Sequence, residues 1–346
     1  MVGYYPYYAR NSGFTPLKLA ASKLTHINYA FADISSQHKL VMANPATDLK
    51  NFEDLRQLKK RNSQLKTLIS VGGWDYSKNF SNAAATAASR ETFAQSCVDF
   101  IIAHGFDGVD LDWEFPVSGG LPGNSNRPED KQNFTKLLQA IRGKLDQQSK
   151  IDGRPYYLTI AGAAGSSFLN KIEPASVASL VDYIFIMGYD MHGPWDSYAD
   201  LNAPLYTPSE DSPQYKLSVN DAVRAYLNRG ISASKLVLGM PFYGYKYTVQ
   251  SGGGLYSPFT SASSVGYDKI VSTYLGSYEY EQLFHWEAMV PYLSSGSSFI
   301  SYEDADSIAE KTQYAKSMGL AGVGAWELSH DKNAVLLSSA YNTLYS

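Results

Sequence analysis

Three carboxylic acids recur at every second position of the segment Phe106-Asp107-Gly108-Val109-Asp110-Leu111-Asp112-Trp113-Glu114-Phe115-Pro116. A period of two is that of a β-strand, so Asp110, Asp112 and Glu114 share one side while Val109, Leu111 and Trp113 share the other. Neighbouring acids on such a strand stand about 6 to 7 Å apart at their Cα atoms. Carboxylates crowded away from water resist full ionisation, so a proton is shared and at least one pKa rises. A carboxyl group that keeps its proton near neutral pH can act as a general acid. Two other readings compete. A solvated strand edge leaves the strict Val, Leu and Trp alternation opposite the acids without purpose. A divalent cation could bind three acids, but such sites usually draw ligands from several strand ends and these acids lie on one strand, so no metal is expected.

Elements able to position such a ladder follow from the apolar runs. Eight short β-rich segments are bounded by turn residues: Val2 to Tyr8, His26 to Ala32, Leu65 to Val71, Gly108 to Trp113, Tyr157 to Ala161, Tyr183 to Met187, Leu236 to Phe242 and Ala321 to Trp326. Helix-like stretches lie between most of them: Glu91 to Ala103, Lys131 to Leu145, Val219 to Asn228 and Asp304 to Met318. Eight buried strands with helical crossovers predict an α/β protein, a closed (β/α)8 TIM barrel filling residues 1–346 as one domain. A minimal barrel takes about 250 residues, leaving roughly a hundred for insertions. The stretch from about 246 to 300, rich in Tyr, Ser and Gly, is too long for a structureless loop and predicts a small α+β insertion after strand seven. A shorter excursion, Pro116 to Pro128, follows strand four. With the apolar side of strand four facing the helices, its acids point into the barrel. Glu114 then falls at the C-terminal mouth, where barrel enzymes build their sites.

Composition narrows the partner. The chain has 33 acidic and 29 basic side chains, a net charge of -4, and 44% hydrophobic residues against 18% charged. This is a folded chain without the basic footprint of a nucleic-acid or anionic-membrane binder, so the partner is expected to be neutral. One cysteine, Cys97, forms no internal disulfide and reads as a small buried thiol on a helix. No apolar stretch approaches a membrane span. Lacking a leader, the chain reads as either cytoplasmic or mature. None of the six histidines has HExxH spacing, and Gly-x-Ser-x-Gly is absent, which removes the zinc-protease and nucleophile-elbow chemistries.

The run Asp107-Gly108-Val109-Asp110-Leu111-Asp112-Trp113-Glu114 resembles the DGxDxDWE signature of glycoside hydrolase family 18, the chitinases. Other segments agree: Ser70-Val71-Gly72-Gly73-Trp74 is similar to the family's SxGG motif, Met187-Gly188-Tyr189-Asp190 to its MxYD, Gly239-Met240-Pro241-Phe242-Tyr243-Gly244 to its strand-seven motif, and Trp326-Glu327 to its strand-eight floor. The resemblance spans nearly the whole chain and is greatest to bacterial catalytic domains. It implies hydrolysis of chitin and N-acetylglucosamine oligosaccharides by a retaining, substrate-assisted route, without a cofactor, by an extracellular monomer. Glu114 would be the acid and base. Asp112 would hold the substrate acetamido group, Asp110 would share the proton load, and Tyr189 would donate to the acetamido oxygen. Asp190 would contact the sugar. Trp326 would form the floor, Trp74 and Trp195 platforms for flanking sugars, and Phe31, Met187 and Tyr243 further lining. Ser70 and Tyr4 would support Asp110. Some members are sugar-binding lectins that have lost the terminal acid, which makes a non-catalytic binder the alternative; Glu114 is present here. One departure is Tyr245, where the family commonly has Arg: a phenol with one hydroxyl replaces a charged, forked donor, so binding on the non-reducing side is expected to be weaker or differently supported.

Overall fold

The computed structural model describes residues 1–211 and 217–346. The β-branched and aromatic runs form eight parallel strands: β1 Val2–Pro6, β2 His26–Ile34, β3 Lys66–Gly72, β4 Gly108–Asp112, β5 Tyr157–Ala163, β6 Tyr183–Met187, β7 Leu236–Pro241 and β8 Gly322–Trp326. Each pairs with the next. β8 returns to β1 through Val2↔Gly324 and Gly3↔Ala325, so the sheet closes into a (β/α)8 TIM barrel.

Closure divides the apolar residues by parity. On β6, Tyr183 and Phe185 belong to an inner cluster with Val2, Tyr4 and Val237. Ile184 and Ile186 belong to the outer one, between barrel and helices. On β4, Val109 and Leu111 take the outer side with Trp113, which stacks on Phe80 at 5.2 Å and meets Phe134 edge-on at 5.4 Å. Those contacts anchor the chain one residue before Glu114. Helix Ala87–His104 opens on a Thr86 and Ser89 capping box and buries Phe93, Cys97 and Ile101. Helix Asp130–Asp152 buries Phe134, Leu137, Leu138, Ile141 and Leu145, a stripe at helical spacing. Each such side chain contributes about 1.5–3 kcal/mol on full burial.

Between β7 and β8 the chain builds a five-stranded antiparallel sheet from Tyr243–Val249, Phe259–Gly266, Glu281–His285, Val290–Ser294 and Ser298–Ser301, with helix Tyr267–Thr273. Its first strand starts directly after β7, earlier than the Tyr, Ser and Gly composition indicated. The stretch after β4, residues 116–128, has no regular element.

Three features differ from the sequence reading. β1 ends at Pro6, because Tyr7–Ser12 turns into a 3-10 helix. β4 ends at Asp112, which leaves Glu114 just beyond the strand. Helix Pro45–Arg61 was not anticipated: charged and polar residues surround its narrow Phe52, Leu55 and Leu58 stripe. Among the described residues no helix is long and apolar enough to cross a membrane.

Candidate active site

The acid ladder of β4 has a different environment at each rung. Asp107, at the entry end, accepts the Thr67 backbone N–H at 2.9 Å and pairs with Arg154 at 2.8 Å and Lys59 at 2.6 Å, which locks the strand's start. Asp110 is fully buried and accepts hydroxyls from three other strands, Tyr4 on β1 across the barrel at 2.8 Å and, from the two flanking strands, Ser70 at 2.7 Å and Thr159 at 2.6 Å. Burial raises its pKa, and the three donors partly offset that rise. Asp112 is buried too, yet its Oδ1 accepts no hydrogen bond from a described residue. Burial, then the charges of Glu114 and Asp110, push its pKa well up.

Glu114 is held by its backbone. Its N–H donates to Ser77 Oγ at 2.9 Å and its carbonyl accepts from Asn124 at 3.1 Å, leaving the carboxyl partly exposed in the cleft. Burial first, then Asp190 and Asp75, raise that carboxyl to about 8. The group therefore keeps its proton at neutral pH.

Each polar or small residue of the β3 motif has a physical task. Ser70 donates to Asp110. Gly72 sits at φ 100°, where a Cβ would lie 2.3 Å from the Asp112 carbonyl and 2.4 Å from the Phe80 ring. Gly73, at φ 67°, lets the Phe31 ring approach to where a Cβ would meet it at 2.5 Å. Trp74 follows, half exposed at the rim.

These elements enclose a cavity of about 510 Å³. Phe31, Trp74, Asp112, Glu114, Met187, Tyr189, Asp190, Trp195 and Trp326 line it, all of them sequence candidates. Trp326 is stacked on Phe31 at 5.5 Å and backed by Tyr4 at 5.5 Å, so the indole is fixed as a floor. Asp110, Tyr4 and Ser70 lie beneath the lining as a hydrogen-bonded base. Tyr243 and Tyr245 lie behind Asp190, outside the lining; both hydroxyls donate to Asp190 Oδ1, at 2.5 and 2.7 Å. Asp190 has a φ of 57°, and its N–H is held by Asn202 Oδ1 at 2.9 Å.

Several lining residues escaped the sequence reading: Tyr7, Tyr8, Asp75, Tyr76 and Phe115. Asp75 was adjacent to a quoted motif, and Thr159 could have been found by inward parity on β5. Tyr7 and Tyr8 could not, because the run they extend looked like strand. No Lys, Arg or His among the described residues lines the cavity. Among the described residues His192, Asp200 and Asp211 bring ligand-type atoms within 4.8 Å of one another, outside this lining. The His192 ring faces Asp196 at 3.3 Å and Asp200 at 3.5 Å, contacts that brace the turn after Asp190.

An acid with a raised pKa beside a second buried acid whose Oδ1 accepts no hydrogen bond, over an indole floor and with no cation among the described lining residues, is suited to protonating a neutral substrate and facing developing positive charge. The chain is similar to known proteins. The sequence model of "Glycosyl hydrolases family 18" matches residues 1–331. Chitinase A1 of Niallia circulans is 41% identical over 97% of this chain, which spans 57% of that relative's length. Chitinase B of Serratia marcescens is 35% identical over 95% of this chain and 77% of its own. Among solved structures, a chitinase from Bacillus thuringiensis superposes with a TM-score of 0.95 at 33% identity, covering 99% of this chain and 69% of the other. A family 18 N-acetylglucosaminidase from Paenibacillus barengoltzii gives 0.89 at 34% identity, covering 99% of both. With a family match from the first residue to residue 331 and relatives well above 30% identity, the chain belongs to glycosyl hydrolases family 18.

Proposed function

We propose that this chain hydrolyses the β-1,4 bonds of chitin and N-acetylglucosamine oligosaccharides with retention, using Glu114 as the acid and base and the substrate's own acetamido carbonyl as the nucleophile. The observation that carries this reading is the buried Oδ1 of Asp112, which accepts no hydrogen bond from a described residue, in one cavity with Glu114 and the Trp326 floor. Glu114 is a partly exposed carboxyl that holds its proton at neutral pH, which favours catalysis over mere sugar binding.

In the proposed cycle the sugar's C–H face packs on Trp326, an aromatic surface for an apolar face. Glu114 gives its proton to the glycosidic oxygen as the C–O bond breaks. The acetamido carbonyl oxygen attacks the anomeric carbon, closing an oxazolinium ring whose N–H donates to Asp112 and whose charge that carboxylate offsets. The Tyr189 hydroxyl, in the cavity lining, would donate to the acetamido oxygen before attack. Water then enters and Glu114, now ionised, takes one of its protons; the water oxygen bonds to the anomeric carbon as the oxazolinium C–O bond breaks, which returns the acetamido group and, as a second displacement, restores the β-configuration. General acid catalysis of this kind contributes about 10²–10⁴-fold. Because chitin is an insoluble polymer, the reading places the enzyme outside the cell.

The test is cleavage of an N-acetylglucosamine hexamer with products read by proton NMR before mutarotation. β-Products are expected, with fully deacetylated chitosan and cello-oligosaccharides inert. Predominantly α-product, or cleavage of a glucose-only chain, would overturn the mechanism. Product lengths from the same hexamer separate internal cleavage from release of single terminal sugars.

A further inference from the structure

The strand Tyr243–Val249 places Tyr243 and Tyr245 two residues apart, so both rings project from one face. Their hydroxyls converge on the same oxygen of Asp190, Oδ1, at 2.5 and 2.7 Å. The rings are themselves braced. Tyr243 meets Tyr245 edge-on at 5.7 Å, Tyr245 meets Trp195 edge-on at 5.8 Å, and the His330 ring tilts against Tyr243 at 6.4 Å. Asn202 completes the mount by accepting the Asp190 N–H and donating to the Tyr243 carbonyl at 3.3 Å. A non-glycine residue at φ 57° needs such support from its surroundings.

We infer that Tyr243 and Tyr245 are paired positioning residues for Asp190: they grip one carboxylate oxygen, keep the group turned toward Glu114, and, being neutral, leave its negative charge uncancelled at the acid. This inference rests on the proposed role of Glu114 and goes beyond it by assigning Tyr245 to Asp190 rather than to the sugar. The neighbourhood makes the neutrality matter. Glu114 faces Asp112 on its own segment, Asp75 beyond β3, and Asp190 with Tyr189 beyond β6. Asp190 faces Glu114, Tyr189, Tyr243, Tyr245 and Tyr247. Among the described residues no cation lies in the cavity lining to offset these carboxylates. An arginine at position 245 would supply one.

Two substitutions at one position then have opposite signatures. Tyr245→Arg places a cation on Asp190, weakens the repulsion that holds the proton on Glu114, and moves the alkaline limb of the kcat profile to lower pH. Tyr245→Phe removes one donor to the ionised form of Asp190, so Asp190 protonates more readily and the acidic limb moves to higher pH. Each limb should move by about half a pH unit or more. The measurement is kcat and KM against pH for a soluble N-acetylglucosamine tetramer, with circular dichroism confirming the fold and Tyr243→Phe as a second variant expected to follow Tyr245→Phe. A raised KM with limbs superimposable on the parent would mean that Tyr245 acts on the sugar alone and would overturn the inference. The same comparison is made without turnover by following the Glu114 carboxyl with carbon-13 NMR in the free protein. A parent enzyme that fails to cleave the tetramer would refute the proposed function, while an unmoved Glu114 titration in Tyr245→Arg would refute the clamp.

Discussion

Glu114 and Asp112 sit two residues apart yet have separate tasks because their surroundings differ. Glu114 reaches the cleft with a carboxyl raised to about 8, whereas Asp112 is buried with an oxygen left for a ligand. Glu114→Gln keeps the shape and removes the acidic proton, so kcat on chito-oligosaccharides should fall by about 10³-fold or more while oligomer affinity, read by calorimetry, stays within about threefold. Turnover within tenfold of the parent would end the assignment of Glu114 as the acid. Much of this residue-level chemistry was legible in the sequence, because strand parity alone sorts Asp110, Asp112 and Glu114 from Val109, Leu111 and Trp113. What parity cannot supply is contact between distant segments. Ser70 and Tyr4 were tied to Asp110 only through the family resemblance, the two phenols on Asp190 leave no trace at their own positions, and Tyr8 looked like strand before it proved to be rim.

The elements matter here through their ends. β3 and β4 run side by side with Gly72 paired to Asp112, and the absence of a side chain at Gly72 lets the Asp112 carbonyl close in. Gly72→Ala should therefore push the end of β4 outward and lower kcat by about 10- to 100-fold, since sub-ångström displacement of a catalytic group is costly. Gly230→Ala is the matched control: φ is similarly left-handed at 79°, but nothing lies within 4 Å of the added methyl. It should lose only about 1–2 kcal/mol of stability, from backbone strain, and keep parental kcat. Equal losses of kcat in the two variants would show that strain, rather than contact with β4, governs the effect. The barrel strands themselves were readable because apolar runs bounded by turns survive any tertiary context. Helix Pro45–Arg61 was not, since Phe52, Leu55 and Leu58 are few among its charges. The sheet after β7 was foreseen only as a region, because antiparallel strands half exposed to solvent, such as Phe259–Gly266, lack a continuous apolar run.

Taken as a whole molecule, the barrel holds four carboxyl groups with raised pKa values, Asp110, Asp112, Glu114 and Asp190, around a cavity with no cation among its described lining residues. Burial is the leading cause at all four. An acid whose folded pKa exceeds its unfolded value binds its proton more tightly when folded. Its contribution is complete below the unfolded value and is lost as pH rises through the folded one. For Glu114 that window runs from the ordinary 4.5 to about 8, so the group needed for acid catalysis at neutral pH is one that weakens the fold there. Function and stability are set against each other at a single carboxyl. Glu114→Gln, neutral at every pH, should escape the loss. Its unfolding free energy relative to the parent should grow by about 1–3 kcal/mol between pH 5 and pH 8, the lower end allowing for the water that reaches this partly exposed group. Urea unfolding of both proteins across that range is the measurement, with equal m-values as the check that the same surface is exposed. A difference that stays constant with pH would show that Glu114 ionises in the folded state as readily as in the unfolded chain. The charges of Asp190 and Asp75 would then have no hold on its proton, and an acid form maintained at neutral pH would have to come from the bound sugar.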